Sequence, residues 1–418
     1  MSEQFTQTGS SSHIRFRPLD AVCGTLLYAY ILLGPISRDL GIVGFISVVA
    51  VCAIYCAARR TPLDWALLAL ALLSSTYGVL SYYHVFPRSW TTLYDPEYIV
   101  RQLATIPAFL FIFSAMRHLW TTLLYSLSSR VFSFLMVVLP AASIPLVELF
   151  RAAGSGFSLP NLIGSSVIFF IGLGVILLSW RRTLRNIAFV VLLTALVIFF
   201  TRNAQTLLAS MLLILVFISP KPRIVAIGMG TLALCLLMTS PFLFQLAPYI
   251  SDPNTTLRLL IWSDAFTAFS DSLGLGIGFG TEAVRNFYAA HTAVTPFPEE
   301  NILAISTHNS FVFLFMRTGI IGGLLFLVFC YRIAFSGSAQ SPAHLRVAIY
   351  CWCLGILSLS VNVALESPLF MLGVAAAFSL TSSILQGGVG QARVASTRLR
   401  SFVPEVGHGV YLANSDRS

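Results

Sequence analysis

Residues 307–333 read THNSFVFLFMRTGIIGGLLFLVFCYRI. The run is long and apolar enough to cross the hydrocarbon core of a bilayer, which takes about 20 residues of helix. Yet it opens on His308 and Asn309, and Arg317 follows nine residues after the histidine. An apolar helix has no structural need of an imidazole, an amide and a guanidinium within about three turns. The apolar run decides the fold, and the polar trio asks for a function.

The rest of the chain agrees about the fold. Of its 418 residues 57% are hydrophobic and only 10% charged, with a mean hydropathy of +0.84. Soluble domains carry about 25% charged residues, so this is an all-α polytopic membrane protein and a water-soluble enzyme is excluded. The net charge of +9 then speaks of topology rather than of nucleic acid. Apolar segments at 19–36, 40–58, 63–83, 98–116, 130–150, 160–180, 186–201, 203–219, 223–244, 307–333, 345–362 and 367–386 predict about 12 transmembrane helices. Arg15 and Arg17 before the first of them resemble the start of a signal peptide. No small-residue cleavage site follows, so an uncleaved first helix is expected. A membrane domain over 1–386 and a polar tail over 387–418 follow. With both termini in the cytoplasm, the inner side collects 17 of the 25 basic residues and 5 of the 16 acids, as the positive-inside rule requires. The seven cysteines lie in or beside apolar segments, an odd number without zinc spacing. They fit packing roles rather than disulfides or metal ligation.

One outward connection is long, 245–306. In it TTLRLLIWSDAFTAF (255–269) has helical apolar spacing after the helix-start signal SDPN, and predicts an amphipathic helix lying against the membrane or the bundle. GLGIGFG (274–280) follows, with glycine at every second position. It fits no dinucleotide-binding pattern, but suits tight backbone packed near a site. A second helix is expected over 281–290.

The outward polar residues are the candidate chemistry. His308 sits where the long connection meets a helix. Histidine exchanges protons near neutrality, and Asn309 beside it could orient the ring or bind a sugar hydroxyl. A helix capped by Thr307, with an incidental histidine, is the competing account. Arg202, Arg258, Arg285 and Arg317 face outward, two of them almost within the membrane. An arginine at mid-bilayer costs about 3 kcal/mol or more, so such residues face a cavity or a partner. Planar guanidinium forks suit a pyrophosphate at the outer leaflet. The alternative is snorkelling to lipid headgroups, or pairing with Asp252, Asp264, Asp271 or Glu282. No acidic pair is spaced like a glycosidase dyad and no cluster resembles a metal site.

Three stretches together resemble the O-antigen polymerase/ligase superfamily, the Wzy- and WaaL-like membrane glycosyltransferases. They are TRNAQTLLAS (201–210), RLLIWSDAFTAFSDSLGLGIGFG (258–280) and HNSFVFLFMRTGIIG (308–322). Val312 stands where that family usually has leucine, and Arg317 where it often has glutamate. The resemblance implies a GT-C-like bundle in the bacterial cytoplasmic membrane, with one large periplasmic loop and a periplasmic active site. It implies an inverting transfer of a glycan from undecaprenyl pyrophosphate to an acceptor hydroxyl, without metal or cofactor. His308 would be the base or would orient the acceptor, supported by Asn309. Arg202 and Arg258 would hold the pyrophosphate, with Arg317 and Arg285 as further candidates. The expected partners are the lipid-linked glycan, membrane lipid, a chain-length regulator and other polysaccharide-assembly proteins. A polymerase is the leading expectation and a ligase to lipid A core the alternative. A lipid-linked oligosaccharide flippase would also be an arginine-rich bundle, but it is disfavoured by the lack of inverted repeats.

Overall fold

The computed structural model describes residues 18–33, 38–83, 85–86, 96–126, 159–179, 184–201, 204–243, 245, 253–280, 309–335, 337, 339, 341–361, 365 and 370–385. Among them there is no β-strand. The helices are α1 (Pro18–Leu33), α2 (Arg38–Arg59), α3 (Trp65–Tyr82), α4 (Pro96–Ser126), α5 (Leu159–Ser179), α6 (Leu184–Thr201), α7 (Ala204–Ile218), α8 (Pro222–Leu243), α9 (Pro253–Asp271), α10 (Ser310–Phe335) and α11 (Pro342–Val361). A last one, α12, covers Phe370–Leu385. Five of them start on proline, whose fixed φ and missing N–H suit the first helical position. α3 starts instead on Asp64, whose carboxylate accepts the Ala66 and Leu67 amides at 2.9 and 3.3 Å.

Eleven of the twelve apolar runs coincide with these helices. The twelfth, 130–150, lies outside the described residues, as do the second helix expected over 281–290 and the tail 387–418. By length and composition, five described helices are apolar enough to cross a membrane: Trp65–Tyr82, Leu103–Trp120, Pro222–Thr239, Ser310–Phe335 and Pro342–Val361. The chain is a helical membrane protein. One boundary needs correction, because α4 runs to Ser126 rather than ending near 116. The polar residues beyond that point have partners: Arg117 donates to the Pro62 carbonyl, and His118 Nδ1 lies 2.8 Å from the Tyr55 hydroxyl.

α11 and α12 form the centre. Every residue from Val347 to Ser360 is buried, as is every one from Phe370 to Leu385. α8, α5, α7 and α10 pack around α11, and α10 packs in turn on α3. Phenylalanines lock α4, α10 and α12 together: Phe113 meets Phe329 edge-on at 5.1 Å, and Phe329 meets Phe378 at 5.8 Å. Ile46, Leu72, Met211, Ile214, Ile227 and Leu324 are exposed. In water such a belt would be a liability, whereas in a bilayer it is the lipid-facing surface.

Polar groups gather at the two ends of α10, which at 26 residues is roughly 35–40 Å long. Near its C-terminal end Arg332 bonds Asp64 at 3.2 Å. On the same side Asp20 accepts from Tyr55 at 2.8 Å and is paired with Arg59. The candidate site lies at the other end.

Candidate functional site

α10 is two half-helices in series. At Gly319 the backbone turns to φ 68°, ψ −169°, which interrupts the ladder. Within the hydrocarbon region such a break is tolerated only where other protein groups satisfy the freed backbone. Here the glycine-rich run does so. Ile277 N–H donates to the Met316 carbonyl at 2.9 Å and Gly278 N–H to the Arg317 carbonyl at 3.1 Å. Ile320 N–H donates to the Gly274 carbonyl at 2.9 Å. A regular helix would instead have sent the residue 320 amide to Met316.

The run is held from its other side by α3. Tyr77 donates its hydroxyl to the Leu275 carbonyl at 2.6 Å, and Ser81 Oγ accepts the Phe279 amide at 2.7 Å. Gly276 adopts φ +87°, and a Cβ there would lie 2.9 Å from the Arg317 carbonyl oxygen and 3.0 Å from Gly319 Cα. At Gly319 a Cβ would meet the Leu275 and Gly274 carbonyls. Only glycine allows the two backbones to approach this closely.

α9 confirms the helix expected over 255–269 and lies against the bundle, on α8 and α10. Leu259, Trp262 and Ala265 of α9, Ile277 of the run, and Val312 and Met316 of α10 form a small apolar cluster separate from the main core. One side of the first half of α10 therefore packs with α9, while Phe311, Phe313 and Leu314 join the main core.

Two elements reach the C-terminal end of α11, and a third bonds Leu365, four residues beyond it. Gln205, in the first turn of α7, donates to Ser358 Oγ at 2.9 Å. Arg258 of α9 donates Nη1 to the Val361 carbonyl at 3.1 Å, placing a cation on the negative end of the helix dipole. Ser310, in the first turn of α10, accepts the Leu365 amide at 3.2 Å. Gln205, Ser358 and Ser310 are all buried.

Asn309 is the cap of α10. It is 2% exposed, and its Oδ1 accepts the Phe311 and Val312 amides at 3.0 and 3.2 Å. This satisfies two of the four amides that a helix start leaves open. Its oxygen holds backbone, and the capping role considered for Thr307 falls to Asn309. Arg317 is 5% exposed. Its Nη1 donates to the Gly278 carbonyl at 3.2 Å, and its guanidinium carbon lies 5.9 Å from the Phe313 ring centre. It sits at the helix break, while Arg258 and Asn309 sit at the helix ends around α11. Arg202, Arg285 and His308 lie outside the described residues.

Sequence reasoning passed over Gln205, Ser310, Ser358, Tyr77 and Ser81. The signal for Ser310 was its place beside His308 and Asn309, and for Gln205 its place three residues after Arg202. Nothing local marks the other three. Six of the seven cysteines are buried, and Cys235 is exposed. Among the described residues no group of three His, Cys, Asp or Glu is placed to hold a metal ion.

Residues 167–327 match the family model Wzy_C, described as O-antigen ligase. The matched stretch runs from α5 into α10, and so includes α9, the glycine run and the α10 break. No curated protein matches the chain. The resemblance to the O-antigen polymerase/ligase superfamily is thereby supported, over the part of the chain that carries the site.

Proposed function

We propose that the protein is a membrane glycosyltransferase joining undecaprenyl-pyrophosphate-linked repeat units into O-antigen or exopolysaccharide at the periplasmic face of the bacterial cytoplasmic membrane. The observation that carries this reading is that Gln205, Arg258 and Ser310, all inside the stretch that matches the family model, bond Ser358, Val361 and Leu365, at the end of α11 and just beyond it. Arg202 is three residues before Gln205, and His308 two before Ser310. That closeness in sequence supports assigning both to the site of Arg258.

In this reading Arg258 and Arg202 hold the donor pyrophosphate, assisted by Arg285. His308 takes the proton of the acceptor hydroxyl as that oxygen bonds the anomeric carbon. The bond from that carbon to the pyrophosphate oxygen breaks on the opposite face, so the anomeric centre inverts. The lipid pyrophosphate leaves with the bonding electrons, its charge met by guanidinium groups in place of a metal. Asn309 fixes the helix start beside the base. The chain crosses the membrane about twelve times with both termini in the cytoplasm, where the Asp20–Arg59 and Asp64–Arg332 pairs lie. A chain-length regulator and other assembly proteins are its expected partners.

The description O-antigen ligase favours a second reading, in which the finished chain passes to lipid A core or another acceptor. A strain deleted for the gene separates the two. Single repeat units without long chains mean a polymerase. Long chains left on undecaprenyl pyrophosphate, and missing from the surface acceptor, mean a ligase. Complementation with His308→Ala or Arg258→Ala, present in the membrane at normal levels, is expected to restore neither. Full restoration by both would overturn the mechanism.

A further inference from the structure

The sequence offers Arg317 as a further pyrophosphate ligand, and the structure buries it against Gly278. We propose that Arg317 is a positioning residue that sets the register between Arg258 on α9 and the Asn309 cap of α10; for its effect on turnover this rests on the proposed function.

Arg317 and Gly278 bond each other in both directions. The Arg317 carbonyl accepts the Gly278 amide at 3.1 Å, and its Nη1 donates to the Gly278 carbonyl at 3.2 Å. One residue thus ties both backbone groups of Gly278. The tie lies between two flexible points, the interrupted helix at Gly319 and the glycine run, and adds a side-chain bond to the Ile277–Met316 and Ile320–Gly274 backbone bonds that join them. The run follows directly from α9, which bears Arg258. The half-helix before the break is Ser310–Thr318, whose first turn adjoins Asn309. Ile277, Val312 and Met316 close on Leu259 and Trp262, so the tie sits at the base of the same packed unit. The α3 side adds the Tyr77–Leu275 and Ser81–Phe279 bonds, anchoring the unit to the bundle. At 5% exposure and turned onto Gly278, Arg317 acts through the backbone rather than on the donor's pyrophosphate.

Two measurements on the full-length protein in detergent or nanodiscs test this. The first is hydrogen exchange of the Ile277, Gly278 and Ile320 amides in wild type, Arg317→Met and Arg317→Lys. The wild type is expected to protect them. Arg317→Met should lose protection by about tenfold or more, and Arg317→Lys, which keeps one donor, should recover most of it. The second is turnover of a purified undecaprenyl-pyrophosphate-linked repeat unit. Arg317→Met should lower kcat by about 10- to 100-fold, the scale of a roughly 1 Å misplacement, with KM for the donor little changed and kcat largely rescued by Arg317→Lys. If Arg317→Met does not accumulate, Tyr77→Phe removes a neighbouring tie and is expected to show the same pattern more weakly. Unchanged exchange in the variants overturns the positioning role. So does a loss confined to KM, which would make Arg317 a donor ligand. A wild type that turns over no lipid-linked glycan sinks the proposed function instead, and the exchange data still decide whether the tie exists.

Discussion

Gly276→Ala is the sharpest test of how α10 is built. The substitution adds one methyl group to a backbone at φ +87°, where it would sit 2.9 Å from the Arg317 carbonyl oxygen and 3.0 Å from Gly319 Cα. Left-handed backbone costs a residue with a Cβ about 1–2 kcal/mol. The crowded atoms are backbone, so no side chain can swing aside. Moving the run away weakens the Ile277–Met316 and Gly278–Arg317 hydrogen bonds, and each buried group left unpaired costs about 1–3 kcal/mol. Together these predict a loss of about 3–5 kcal/mol, in the range that marks a specific structural fault. Gly24 and Gly228 are the controls, since a Cβ at either meets nothing within 4 Å. Alanine there is expected to be neutral or to add about 0.5–1 kcal/mol by stiffening a helix. Thermal unfolding of the purified proteins in one detergent, followed by tryptophan fluorescence, compares all three with wild type. A Gly276→Ala protein melting with the Gly228→Ala control would refute the splice between the glycine run and the α10 break.

Asn309→Ala should cost about 1 kcal/mol, the usual value of a lost helix cap. Asn309→Asp, which can accept the same two amides, should restore the melting point, and a melting series of the variants checks this. Asp20 is 1% exposed, and its carboxylate accepts from Tyr55 as well as pairing with Arg59. Asp20→Asn leaves a guanidinium without its counter-charge and should cost about 3–5 kcal/mol, whereas replacing both partners by apolar residues should be milder. Membrane yield and melting temperature of the single and double variants decide this; a double variant worse than the single one would contradict the pairing.

Much of the architecture was legible because lipid imposes a simple code. A segment in hydrocarbon must satisfy its own backbone and present apolar side chains, so run length and hydropathy alone marked every helix from α1 to α12 except α9. The helix over 255–269 was legible for a related reason, since its apolar spacing and the proline before it act locally. The extension of α4 beyond residue 116 was not, because Arg117 and His118 look like a helix end until Pro62 and Tyr55 are found opposite them. The candidate residues divide in the same way. Arg258 and Asn309 could be singled out as polar groups at apolar boundaries. That Asn309 spends its oxygen on the backbone, and that Arg317 bonds Gly278, depend on where those backbones lie.

The sequence by itself determined a helical membrane protein, the positions of most of its helices, and the stretch that holds the unusual polar residues. These follow from properties of single segments: apolar length, proline starts, glycine frequency and the cost of charge in lipid. Only the tertiary structure decided that α10 is two half-helices, that 274–280 mends the break between them, and that α7 and α9 bond the end of α11 while α10 bonds Leu365 just beyond it. The physical reason is that hydrogen bonds between residues such as 278 and 317, or 205 and 358, leave no periodic trace in either partner's neighbourhood. Each segment shows only that its backbone can bend or that its side chain can donate; the partner is fixed when the helices pack.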